Sequence, residues 1–236
     1  FVSEVLDFVV DEMVQIYGGY GFIEEYPAAR AYRDARINRL FEGTNEINRL
    51  LITGMLLRRA QRGQLPLIAA ARAAGEELLS PAAAGDGHLP GILGAERQQV
   101  AMAKKALLFA AGVALQKHAA AIEDQQEILG WLADMVAETF ATESAVLRAA
   151  RSADVAGAGA AGEKSLPVLL AQAYLNEALP RLEGLARQVL AASAEGENLR
   201  TLLAGLRRLL RYTPLDAVVL QRAIADHAIQ AGRYPL

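Results

Sequence analysis

Glu42, Gly43 and Thr44 stand in a row in the 236-residue chain, and their types and order suit acid–base chemistry at a ligand. A carboxylate in a short loop between two helices can act as a general base when it is held within reach of a proton, and Phe41 beside it supplies an apolar neighbour. Gly43 lets the backbone approach a ligand closely, and Thr44 can cap the helix that follows. A glutamate in such a place more commonly sits in water and favours the dipole of the helix behind it, so local spacing alone leaves both readings open. Cysteine is absent, which excludes disulfides and thiol nucleophiles and fits a reducing compartment. His88, His118 and His227 are scattered singly, so no metal-ligand spacing exists and no metal is expected.

Helices must hold that loop. Upstream, Ala28 to Ile37 has helical character behind Pro27, which suits a first turn. Downstream, Ile47, Leu50, Leu51, Gly54 and Leu57 recur at the three- and four-residue spacing of one helix face. Val2, Val5, Leu6, Val9, Val10 and Met13 form an apolar stripe that reads as mid-domain helix, so the start is expected to be a truncation of a longer chain and not a signal peptide.

Further on, Gly63 to Pro66 reads as a junction and Ser80 to Gly94 as a glycine- and proline-rich loop. Helices are expected over Ala95 to His118 and over Ile122 to Arg151, with Leu132, Val136, Phe140 and Leu147 on one face of the second. Glu143 falls on that same face and is expected to be a buried carboxylate paired with a lysine or arginine. A Gly/Ala loop at Gly157 to Gly162 precedes helices over Leu166 to Ser193, kinked at Pro180, Leu199 to Arg211 and Leu215 to Ala231. Alternating stretches are essentially missing, which predicts an all-α fold. The expected domains are 1–62, a linker at 63–94, and a helical extension at 95–236. With 53% hydrophobic residues and a formal charge of -3, the chain can bury a sizeable core and has no bias toward nucleic acid. No apolar run approaches the roughly 20 residues of a membrane span.

Four blocks then recur in a familiar order: Gln15-Ile16-Tyr17-Gly18-Gly19-Tyr20-Gly21-Phe22, Glu25-Tyr26-Pro27, Tyr32-Arg33-Asp34-Ala35-Arg36 and Phe41-Glu42-Gly43-Thr44-Asn45-Glu46-Ile47. Together they resemble the C-terminal catalytic domain of the acyl-CoA dehydrogenases. Lys104-Lys105, Gln116-Lys117-His118, Asp124 to Leu129, Glu143-Ser144 and Arg211-Tyr212-Thr213-Pro214 resemble the C-terminal extension of the very-long-chain branch.

The resemblance implies a flavoprotein oxidoreductase of fatty-acid β-oxidation that converts an acyl-CoA, of long chain in this branch, to its trans-2-enoyl form with FAD. Glu42 matches the base that removes the α-proton, and a backbone N–H nearby matches the donor to the thioester carbonyl. Gly43 matches a substrate-contact position whose missing side chain leaves room for the acyl chain. Gln15, Ile16, Tyr17, Gly18 and Gly19 match the segment that meets FAD in a neighbouring subunit, and Thr44, Asn45 and Glu46 match the segment that touches FAD in its own. Without a ligand, Gly18 and Gly19 would read as a helix C-cap and tight turn.

The family fold also has an N-terminal helical domain and a middle β-domain, so this chain by itself is expected to be inactive. An electron-transferring flavoprotein is the implied partner and a homodimer or higher homo-oligomer the implied assembly. The location implied is cytoplasmic, with possible peripheral contact on the inner face of the membrane. Arg33, Asp34, Arg36 and Arg39 read as ion-pairing groups that hold the Glu42 loop. In Leu199 to Arg211 the leucines lie on one face and Arg200, Arg207, Arg208 and Arg211 on the other, which suits either core packing or an anionic lipid surface. The competing class is a helical assembly or membrane-docking module that kept the fold and lost the chemistry.

Overall fold

Apolar residues at three- and four-residue spacing fold as helices along the chain. In the computed structural model, which describes residues 1–79, 89–156 and 165–234, every regular element among those residues is helical and the all-α expectation is met. The chain divides into two compact units, Phe1–Arg58 and Arg59–Leu236.

In the first unit, α1 (Val2–Tyr17), α2 (Gly19–Phe22) and α3 (Pro27–Ile37) pack against one another, and α4 (Asn45–Gln61) follows the Glu42 loop. Pro27 opens α3, where its missing N–H costs nothing. The buried set is small: Val10, Ala28 and Ala35 form its apolar part. Of the α1 stripe only Val10 is buried, whereas Val2, Val5, Leu6 and Val9 are exposed, as are Ile16 (81%) and Phe22 (83%). Helix α2 lies so close to α1 that a Cβ on Gly21 would come within 2.5 Å of the Val14 carbonyl oxygen. We therefore expect Gly21→Ala to destabilise the first unit by about 1–3 kcal/mol through forced separation of the two helices. A denaturation midpoint of the full-length protein unmoved by this change would mean that α2 shifts freely.

In the second unit α5 (Leu67–Leu79) packs on α6 (Gly94–His118), a short 3-10 helix (Ala119–Asp124) follows, and α7 (Gln126–Ala156) leads to α8 (Leu166–Ser193). Helix α8 is the centre, meeting α6, α7, α9 (Gly196–Leu209) and α10 (Ala217–Ala231). Leu175, Leu179, Leu182, Val189 and Leu190 on α8 are almost wholly excluded from water, as are Met135 and Val146 on α7, which packs against it. Pro180 is accommodated inside the continuous helix Leu166–Ser193. Asp216 caps α10 by accepting from the backbone N–H groups of Val218 and Val219 at 2.9 and 3.1 Å.

Three expectations are corrected here. The stretch 63–94, expected as a linker, contributes α5, whose Ala71, Ala74 and Leu78 are buried at three- and four-residue spacing. The expected face of α7 is core only at its start: Leu132 is buried, but Phe140 and Leu147 are 71% and 51% exposed, while Ala133, Met135, Thr139, Thr142, Val146 and Ala149 are inside. Glu143 does pair with a lysine, Lys104 at 2.5 Å, but both side chains are partly in water, so the pair is a surface bridge worth little to stability.

The C-terminal leucines of α9 face inward. Leu206 and Leu209 are buried, as is Leu210 just beyond, and Arg208 donates to the Leu78 carbonyl at 2.6 Å near the end of α5. Leu199, Leu202 and Leu203 are half-buried, so the leucine face is packed at its C-terminal end and partly open at its N-terminal end. No helix among the described residues is long and apolar enough to cross a membrane. Residues 80–88 and the Gly/Ala stretch at Gly157 to Gly162 lie outside the described residues.

Candidate active site

The Glu42 loop begins where α3 runs out of hydrogen bonds. Asn38 caps that end with its side chain, whose Nδ2 donates to the carbonyls of Asp34 and Ala35, each at 3.2 Å. The chain then tightens, with Leu40 N–H donating to Ile37 O at 2.9 Å and Phe41 N–H to the same oxygen at 3.2 Å. Glu42 and Gly43 follow with φ of 56° and 87°, so two successive left-handed residues reverse the backbone. At Gly43 this costs little. At Glu42 the side chain makes the conformation unfavourable by roughly 1–2 kcal/mol.

Three contacts impose that turn. Asn45 N–H donates to Arg39 O at 3.3 Å and closes the base of the loop. Asn48 Nδ2 donates to Gly43 O at 2.9 Å, and a Cβ on Gly43 would stand 3.2 Å from Asn48 Oδ1, so the positive φ calls for glycine and an added Cβ would also press on Asn48. Thr44 Oγ1 accepts from Ile47 N–H at 3.3 Å, the cap expected of it. The Glu46 carboxyl, in the first turn of α4, is held below its ordinary pKa chiefly by its own backbone N–H and then by the Thr44 hydroxyl. The Glu42 side chain is exposed.

One edge of α1 reaches both ends of this loop. Ser3 Oγ donates to Asn45 Oδ1 at 3.0 Å, and Asn45 Nδ2 donates to Glu4 Oε1 at 3.4 Å. Arg49 pairs with Glu4 at 2.6 Å and Arg39 with Asp7 at 3.3 Å. Partial burial pushes the Glu4 carboxyl up, but the hydrogen bond and charge of Arg49 outweigh it, and the net position is below the usual value. Arg33 pairs with Glu24 away from the loop, so of the charged residues at the end of α3 Arg39 is the one that ties it down.

The second candidate segment lies at the far end of α1. Gln15, Ile16 and Tyr17 are its last residues; Gly18 donates its N–H to Gln15 O at 3.1 Å and has φ 59°, and Gly19 opens α2. Asp7, which pairs with Arg39 beside the loop, precedes Gln15 by roughly 12 Å of helix axis, so the two segments meet α1 at different points along its length. Nothing stands within 4 Å of a Cβ placed on Gly18 or Gly19, and Gly19 has no positive φ to account for its type. The turn explains Gly18, whereas no feature of the fold calls for glycine at 19.

The sequence reading missed Asn48, Ser3, Glu4 and Asp7. The spacing of the polar Ser3, Glu4 and Asp7, which places them on one face of α1, was the available signal.

The family model described as "Acyl-CoA dehydrogenase, C-terminal domain" matches residues 1–57, and a second model of the same description matches residues 102–208. A probable acyl-CoA dehydrogenase of Bacillus subtilis (strain 168) is 46% identical over 236 residues, which is 99% of this chain and 39% of that protein. A crystal structure of acyl-CoA dehydrogenase complexed with FAD from Bacillus anthracis superposes with a TM-score of 0.90 at 43% identity, again covering 99% of this chain and 39% of that one. The caffeyl-CoA reductase-Etf complex subunit CarC of Acetobacterium woodii is 42% identical over 59 residues, 25% of this chain and 16% of that protein. This chain thus spans well under half the length of the relatives that match it from end to end. With two matching family models and that end-to-end likeness, it belongs to the acyl-CoA dehydrogenase family.

Proposed function

We propose that the protein of which this chain forms a C-terminal part oxidises acyl-CoA to trans-2-enoyl-CoA with FAD, and that Glu42 is its base. The observation that carries this is the backbone at residue 42. A carboxylate is kept on a left-handed turn where glycine or asparagine would cost less, and it is held there by Asn48, Gly43 and Asn45. A derived assembly module that had lost the chemistry would gain stability by abandoning that glutamate.

The residues present fit a flavin. Gly19 is a glycine with open space around it and no structural requirement, which suits close approach of a ligand to the backbone. Thr44 Oγ1 accepts from Ile47 N–H and its hydroxyl serves the Glu46 carboxyl, which is exposed and held below its ordinary pKa, so a polar group of the cofactor would meet Thr44 and Glu46 as a pair. Asn45 departs from the pattern, because its side chain is engaged by Ser3 and Glu4; a contact with the cofactor would run through its backbone. The separation of the two segments along α1 suits contacts to two different flavins, Gln15 to Gly19 to that of a neighbouring subunit and Thr44 to Glu46 to that of their own.

FAD supplies the hydride acceptor. Glu42 takes the α-proton, Gly43 leaves room for the acyl chain, and a backbone N–H beside Glu42 donates to the thioester carbonyl, which makes that proton acidic enough to remove. The substrates proposed are long-chain acyl-CoAs of fatty-acid β-oxidation. An electron-transferring flavoprotein is the proposed electron acceptor, in line with the Etf-complex relative. A homo-oligomer would cover the exposed Val2, Phe8, Ile16 and Phe22 of the first unit. The proposed location is cytoplasmic, which the absence of cysteine fits. A peripheral membrane contact of α9 would be made chiefly by charge through Arg207 and the adjoining Arg211, since Leu206, Leu209 and Leu210 are packed.

The test is full-length protein assayed with a chain-length series of acyl-CoAs and an electron-transferring flavoprotein or dye as acceptor. We expect a flavin absorbance band and turnover that is highest with long chains. A colourless protein inert at every chain length overturns the proposal.

A further inference from the structure

We propose that Glu4 and Asp7 are positioning residues for the reaction: from one edge of α1 they clamp both ends of the loop that carries Glu42 and hold its left-handed turn in place. The inference rests on the reading of Glu42 as the base. Ser3, Glu4 and Asp7 lie within one face of α1, since positions three and four apart are neighbours on a helix. Their partners bracket the loop: Arg39 stands before the turn and Asn45 and Arg49 after it. Asn45 N–H to Arg39 O ties the two ends to each other, so the loop is closed at its base and anchored to α1 on each side of that closure.

The turn itself needs such support. An unfavourable φ at Glu42 persists only where the surroundings over-determine it. The contacts within the loop and α4, Asn48 to Gly43 O and Ile47 N–H to Thr44 Oγ1, shape the turn but do not fix it relative to the rest of the unit. The α1 contacts do. The Glu4–Arg49 and Asp7–Arg39 pairs are partly shielded from water, and Asn45 is buried, so these links are firmer than open surface pairs. Glu4 serves two partners with one oxygen, Oε1, receiving both Arg49 and Asn45. Losing its charge therefore loosens the C-terminal end of the loop, and losing that of Asp7 loosens the N-terminal end.

The experiment uses full-length, FAD-loaded protein with rates normalised to bound flavin. Glu4→Gln and Asp7→Asn are each expected to lower kcat by about 10-fold or more at unchanged KM, the scale of a base displaced by a fraction of an ångström. The deuterium isotope effect on kcat with 2,2-dideuterated acyl-CoA should rise, because proton abstraction becomes slower relative to the other steps. A merely structural role would reduce the amount of folded enzyme and leave that effect where it was. The charge swap Asp7→Arg with Arg39→Asp should restore most of kcat, and Glu4→Gln added to Glu42→Gln should cost nothing more, since the group being positioned is already gone.

If Glu4→Gln fails to fold with flavin, Glu4→Asp carries the test, keeping the charge while shortening its reach. Full kcat and an unchanged isotope effect in flavin-loaded variants, or a further loss on top of Glu42→Gln, overturn the clamp. Normal turnover in Glu42→Gln alone would instead overturn the assignment of the base.

Discussion

Glu42→Gln in the full-length protein is expected to keep FAD bound and to lower turnover at least about 100-fold, because the amide preserves the shape of the side chain and removes its basicity. The turn should survive the change. Its left-handed backbone is imposed by Asn48, Gly43 and Asn45, none of which contacts the Glu42 carboxylate in the bonds that shape it. Flavin content and the denaturation midpoint are therefore expected to match the unsubstituted protein, which separates loss of the base from loss of the site. Steady-state assay with a saturating acyl-CoA reads the effect. Near-normal turnover in a flavin-loaded variant would remove Glu42 from the mechanism.

The second large effect concerns the scaffold. Leu190 has no exposed surface and lies on α8, the helix that meets four others in the second unit. Leu190→Ala should destabilise that unit by about 2–5 kcal/mol, through lost burial and the cavity left behind. Leu147→Ala on α7 is the control. Although it occupies what the periodicity suggests is a core face, its side chain is half in water, and its removal should change stability by less than about 0.5 kcal/mol. Chemical denaturation of the two variants checks the pair. Equal losses would mean that Leu147 is covered in the assembled protein.

What the sequence determined by itself was the helices and the identity of the loop. Three- and four-residue spacing locates α1, α3, α6, α7 and α8 to within a few residues, and Pro27 and the alanine-rich segments mark several of their limits. The Glu42-Gly43-Thr44 order, with the blocks around it, was enough to single out one carboxylate among the acidic residues of the chain. Those features are local: they depend on which backbone states a residue tolerates and on which neighbours one turn of helix brings together.

The tertiary structure alone decided which faces are covered. Helix α7 offers apolar residues on more than one side, and a periodic pattern does not say which side meets α8; Met135 and Val146 went inside and Phe140 and Leu147 did not. The same is true of α5, whose alanines look like linker until α6 is there to receive them. It is true above all of the site. Ser3, Glu4 and Asp7 are separated from Asn45, Arg49 and Arg39 by some thirty to forty-five residues of chain, and only the folding of α1 back across the loop brings their charges within hydrogen-bonding distance. The unfavourable φ of Glu42 belongs with them, because a glutamate adopts it only where contacts from other parts of the fold outweigh its own preference.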